Sequence, residues 1–167
     1  ANGNYQEDEF NDEGQVIGKI TTPYTYALDG LMVGDQPQTA YVIGTTITPV
    51  KGLRLQALYN MYSENYSDWS PGAREYDGSD ADADREQVWK APAYSKVDLH
   101  ASYPFSMGGY DVTAFAHVFN ATDATYVQDA VDHSQYNSYG DKVHAAHNAE
   151  VFLGAPRSFN LGIAVNF

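Results

Sequence analysis

The chain has 167 residues, no cysteine, and a formal net charge of −13 from 22 acidic and 9 basic side chains. That composition excludes a disulfide framework and a thiolate metal site, and it makes nucleic acid a poor partner, because phosphate contacts need Lys and Arg. No apolar run reaches the roughly 20 residues of a transmembrane helix. A β-barrel stays open, because only alternate residues of its strands face lipid.

In chain order, a first strand is expected at about 15–27. The segment 38–48 (QTAYVIGTTIT) alternates, with Tyr41, Ile43 and Ile47 on one face. Residues 53–66 (LRLQALYNMYSENY) set Leu53, Leu55, Ala57, Tyr59 and Met61 against Arg54, Gln56, Asn60 and Glu64. Residues 93–104 place Val97, Leu99, Ala101 and Tyr103 opposite Lys96, Asp98, His100 and Ser102. Residues 110–120 place Val112, Ala114, Ala116 and Val118 opposite Asp111, Thr113 and His117. The last strand, 156–167, ends in RSFNLGIAVNF. There Phe159, Leu161, Ile163, Val165 and Phe167 alternate with small or polar residues up to the C-terminus. Period two over such lengths means strands with one apolar and one polar face.

The connections alternate between short and long. Residues 49–52 and 105–109 are Pro- and Gly-containing tight turns. Residues 67–92 and 122–155 are long and polar. Acidity follows this partition. Residues 1–37 hold seven acids and one base (net −6), residues 67–92 seven acids and three bases (net −4), and residues 122–155 five acids and one base (net −4). The remainder, with three acids and four bases, carries +1. Short turns at one end, long loops at the other and neutral strands are the pattern of an outer-membrane barrel. Six strands are too few to close one, since the smallest has eight. The opening residues, ANGNYQEDEF, lack the basic start and apolar core of a secretory signal. The expected fold is therefore all-β: a partial antiparallel transmembrane β-barrel, belonging to a longer exported protein.

Two segments carry a family resemblance. Residues 118–130 (VFNATDATYVQDA) resemble the V-x-N-x-x-D-x-x-Y strand and loop near the end of TonB-dependent outer-membrane receptors. Residues 152–167 (FLGAPRSFNLGIAVNF) are similar to their final strand, with its Gly, Pro, Arg and terminal Phe. Residues 88–105 look like the strand two before it. The resemblance spans 38–167 and is strongest after Val88. It implies the last six strands of a 22-stranded barrel, with the plug domain lying outside this chain. It also implies an outer-membrane location with the C-terminus at the periplasmic side, and TonB-driven uptake of a scarce solute such as a siderophore, cobalamin or an oligosaccharide. The implied partners are outer-membrane lipid, the rest of the barrel and plug, the TonB complex through the parent protein, and the barrel-assembly machinery. In that setting Leu161, Ile163, Val165 and Phe167 form the assembly signal.

No enzyme is expected: the chain holds no G-x-S-x-G, P-loop or H-E-x-x-H. No catalytic residue, cofactor or metal site is assigned. The nearest approach to metal ligands is Asp80, Asp82 and Asp84, spaced two apart in an acidic loop, and His144 and His147 in H-A-A-H. The bland readings are a hydrated charge run and a polar lining. Asp98, His100, Asp111 and His117 share the inward face, which a polar wall explains without acid–base chemistry. Tyr66, Trp69, Tyr76 and Trp89 crowd the second long loop, as an interfacial aromatic girdle or as ligand-stacking rings. Two other readings compete: a smaller outer-membrane barrel acting as enzyme or adhesin, and a soluble β-sandwich binding module. The sandwich would pack Leu55, Val97, Val112 and Ile163 between two sheets.

Overall fold

The computed structural model describes residues 2–76, 83–132 and 143–166. Its strands are β1 (Asn2–Phe10), β2 (Val16–Tyr26), β3 (Thr39–Val50), β4 (Leu53–Ser63), β5 (Asn65–Tyr66), β6 (Glu75–Tyr76), β7 (Lys90–Ala91), β8 (Tyr94–Met107), β9 (Tyr110–Phe119), β10 (Val127–Val131), β11 (Glu150–Leu153) and β12 (Ser158–Asn166). Two short 3-10 turns, Pro71–Arg74 and Ala146–Asn148, are the helical elements among the described residues. The protein is all-β and its long strands pair antiparallel. An isolated parallel bridge joins Asp68 and Val131.

The chain divides into two compact units. One comprises Gly34–Tyr66, Lys90–Ala130 and Val151–Phe167. Its main sheet has five strands in the order β12-β9-β8-β4-β3. The turns explain that order. Lys51 and Gly52 join β3 to β4, with Gly52 at φ 88°. Gly108 and Gly109, at φ 62° and 87°, join β8 to β9. Two consecutive positive φ values are what a tight hairpin requires, and glycine adopts them without strain.

Register then sorts the side chains. Phe159, Leu161, Ile163 and Val165 lie opposite Val118, Ala116, Ala114 and Val112. Those pair onward with Leu99, Ala101, Tyr103 and Phe105. Leu99 and Ala101 face Ala57 and Leu55, which face Thr45 and Ile47. One face is thus apolar across all five strands. The other carries Asn160, His117, His100, Gln56 and Thr46 in a single row.

Most of the apolar face is uncovered. Phe159, Leu161, Ile163 and Val165 are 69, 79, 68 and 43 % exposed. Ile43, Ile47, Met61 and Leu99 are exposed as well. Covering seven or eight such side chains would be worth on the order of 10–20 kcal/mol. That matches or exceeds the whole stability of an ordinary domain, about 5–15 kcal/mol. Buried apolar residues among those described are few and, Tyr126 apart, small: Ala27, Val88, Ala91, Val112, Tyr126, Ala130 and Ala149. Buried polar residues include Asn60, Asn65, Arg74, Asp98, Asn120, Asp132 and His144. Of the four residues a sandwich would bury, only Val112 is buried, and Ile163 stands in the open.

The other unit comprises Ala1–Val33, Ser67–Trp89 and Val131–Glu150. Here β1 and β2 form a ribbon, and β6 adds to β2 at Thr25 and Tyr26. Asn11 shapes the ribbon's turn: its Oδ1 accepts from the backbone N–H of Glu13 (3.0 Å) and Gln15 (2.9 Å). Such side-chain acceptance is the habit of Asn in turns.

Two features add to the expected pattern. The strand expected at 15–27 forms, and it pairs with β1 and β6. The segment NGNYQEDEF is too polar to show a strand pattern, and pairing across the Asn11 turn overrides that. The long connections are not bare loops either. Residues 122–155 hold β10 and β11, which pair with each other, and residues 67–92 hold β6 and β7.

Candidate functional site

Three places in the molecule gather polar side chains with defined partners. The first is the seam where β9 runs out, beside the lead into β12. Asn120 sits at φ 49°, a conformation Asn tolerates better than most residues, and it is buried. Its backbone N–H donates to Asp98 Oδ1 at 2.8 Å. Its Oδ1 accepts from the N–H of Ala124 (3.0 Å), and its Nδ2 donates to the carbonyls of Ala124 (2.9 Å) and Ala155 (3.2 Å). Asp98 takes Asn60 Nδ2 on its second oxygen at 2.9 Å, with Lys96 Nζ at 3.7 Å. Asp123 Oδ1 accepts the N–H of Arg157 at 3.0 Å. The Tyr126 ring lies against Gly154, where a Cβ would collide with it. That ring continues a stack with Tyr94 and Tyr62, at centroid spacings of 4.1 and 4.9 Å. The two segments that carry the family resemblance therefore fit into one another. Asn120, Asp123 and Tyr126 on one side meet Ala155, Arg157 and Gly154 on the other.

The second place is the polar face of the five-stranded sheet. His100 and His117 lie directly opposite across β8 and β9, with their Nδ1 atoms 2.8 Å apart. They line an open hollow of about 310 Å³ with Arg54, Gln56, Ala101 and Ser102. Phe119 meets His100 edge-on at 5.7 Å, and Phe115 lies 5.4 Å from His117. The four residues placed inward by the sequence pattern do share this face, but they do not converge. Asp98 is taken up by Asn60 and Asn120, and Asp111 accepts from Ser106 Oγ at 3.2 Å. An acid–imidazole pair is not assembled from them.

The third place is in the loops of the other unit. Arg74 is 1 % exposed, at the end of its 3-10 turn. Its Nη1 lies 2.7 Å from Asp84 Oδ1 and donates to the Glu86 carbonyl at 2.9 Å. His144 bridges two acids, with Nε2 at 2.9 Å from Asp84 and Nδ1 at 2.6 Å from Asp132. A guanidinium thus occupies the side of Asp84 that a cation would need. Of the weak metal candidates, Asp84 and His144 come together, whereas His147 is exposed on the next turn. Asp80 and Asp82 lie outside the described residues. Among the described residues no group of three or more His, Asp or Glu is arranged to hold a metal.

The aromatic candidates scatter. Trp69 donates its indole N–H to the Met32 carbonyl at 2.9 Å, with Arg74 5.9 Å from the ring centroid. Arg85 stands over Tyr76 at 5.6 Å. Lys90 stands over Tyr66 at 5.9 Å, in the unit that holds the five-stranded sheet. Trp89 is partly buried, and its carbonyl accepts from the Ser67 N–H at 2.9 Å. Each of these three rings has its own cation beside it. Leu161, Ile163 and Val165 share the apolar face with Phe159, and Phe167 lies outside the described residues.

Sequence reasoning missed Arg74 and the histidine contact. Arg74 had one signal, a base in a strongly acidic loop. The histidine contact was countable: His100 lies eight residues before Gly108 and His117 eight residues after Gly109, so a two-residue turn sets them opposite one another. No protein-family model, curated protein or solved structure matches this chain.

Proposed function

We propose that this chain is part of the wall of an outer-membrane β-barrel receptor that takes up a scarce solute with energy from the TonB complex. The observation that carries the reading is the uncovered apolar face of the five-stranded sheet, backed by a polar face on the same strands. Lipid on one side and a wet lumen on the other is the environment that such a sheet satisfies. The strands of 9 to 14 residues bracket the length needed to cross a bilayer at a tilt. The sheet has two edges, β3 and β12, and unpaired edges are not tolerated in hydrocarbon. Further strands of a longer protein would pair with both. The uptake role and the TonB partner rest on the interlocking segments at residues 118–130 and 152–167, through their resemblance to that family.

The test is made in cells that express the whole gene. The protein should fractionate with the outer membrane and be released by detergent, not by salt or carbonate. Loss of the gene should impair uptake of an iron chelate, a cobalamin or an oligosaccharide, and loss of TonB should impair it equally. Recovery in a soluble fraction without detergent would overturn the membrane reading. Outer-membrane residence with uptake unaffected by TonB would overturn only the transport reading.

A further inference from the structure

We propose that His100 and His117 form a two-imidazole site for a divalent transition metal of tetragonal preference, Cu²⁺ or Ni²⁺, on the polar face of the sheet. The inference needs only that face and does not depend on the sheet lying in a membrane. The backbone sets the pair: the two residues are direct cross-strand partners in a hairpin whose register is held by the Gly108–Gly109 turn. Direct partners have Cβ atoms roughly 4.5–5.5 Å apart, so neither ring must stretch to reach a shared ion. The Nδ1 atoms lie 2.8 Å apart as one ring donates to the other, so both nitrogens already converge and can turn to a shared ion. Two imidazoles with open space for water fit an ion that completes a square or octahedral shell with water better than a closed zinc tetrahedron.

Without metal, one Nδ1 donates to the other. Binding exchanges that one hydrogen bond for two metal–nitrogen bonds, with both rings carrying their hydrogen on Nε2. Phe115 and Phe119 flank the rings, at 5.4 Å from His117 and 5.7 Å from His100. The open hollow of about 310 Å³ leaves room for water ligands, and Gln56 on its lining offers an amide. Arg54 also lines it and opposes a second cation. Hence neutralising Arg54 should strengthen metal binding, whereas it would weaken binding of an anionic ligand.

The experiment is titration of the purified full-length protein with Cu²⁺ and Ni²⁺, followed by calorimetry and by electron paramagnetic resonance for copper. One ion is expected to bind with a spectrum showing two nitrogen ligands. His100→Asn and His117→Asn should each weaken binding roughly tenfold or more and leave one nitrogen. His147→Asn should change nothing. Arg54→Gln should tighten binding, and Ni²⁺ should bind more tightly than Zn²⁺. Far-UV circular dichroism identical to the parent shows that each variant folds. Affinity unchanged in both histidine variants, weaker binding in Arg54→Gln, or preference for Zn²⁺ over Ni²⁺ would each overturn the assignment.

Discussion

The carboxylate of Asp123 accepts the backbone N–H of Arg157 at 3.0 Å, across 34 residues of sequence. Arg157 Nη2 returns to the other carboxylate oxygen at 3.6 Å. The ion pair is about half exposed, so solvent screens most of its charge attraction. The N–H contact is the stronger part, because it sets where the lead into β12 leaves the Asn120 turn.

Replacing Asn120 should therefore hurt more than replacing Asp123. Asn120→Ala leaves the Ala124 N–H and the Ala155 carbonyl without their side-chain partner, at a left-handed φ that Ala resists. The expected destabilisation is about 2–4 kcal/mol, against about 1–2 kcal/mol for Asp123→Ala. Denaturant unfolding of the detergent-solubilised protein measures both. Equal effects would show that the turn does not depend on the buried amide.

Gly154→Ala should be damaging through sterics alone, since its Cβ would enter the Tyr126 ring. The same substitution in a Tyr126→Ala background should do much less harm. A double-mutant cycle with coupling of roughly 1–3 kcal/mol is expected. Additive effects would mean that the ring can swing aside.

The two faces of β12 should respond differently to charge. Ile163→Arg places a cation on the exposed apolar face, and a base at the bilayer midplane costs about 2–4 kcal/mol. Asn160→Arg places it in the row of His117 and His100. Outer-membrane yield should fall for the first and hold for the second. Equal yields would sink the membrane reading of that face.

Removing Arg74 strips the guanidinium that lies against Asp84. Breaking a buried pair from one side typically costs about 3–5 kcal/mol. In Arg74→Met the loss should appear locally, as faster hydrogen exchange at residues 83–88 and 143–149, with β8 and β9 unchanged. Protection left intact in both loops would show that Arg74 does not hold them.

Phe167 follows from the proposed membrane role. Its deletion from the full-length protein should lower surface levels while synthesis stays normal, and a short polar tail after it should do the same less severely. Fractionation with protease shaving provides the readout. Normal surface levels of both variants would remove Phe167 from the assembly signal.

Alternation along residues 38–48, 53–66, 93–104, 110–120 and 156–167 was enough to place β3, β4, β8, β9 and β12 and to sort their faces. Side-chain period in a strand is a local property that one chain segment carries by itself. Glycine at the two tight turns likewise announced the hairpins, because positive φ is a local demand. Partner choice was not local. That β2 pairs with β1, that Arg74 lies between Asp84 and His144, and that Gly154 receives Tyr126 were decided only when distant segments packed. Those contacts depend on which buried polar groups can satisfy one another across tens of residues, and no period in the sequence encodes that.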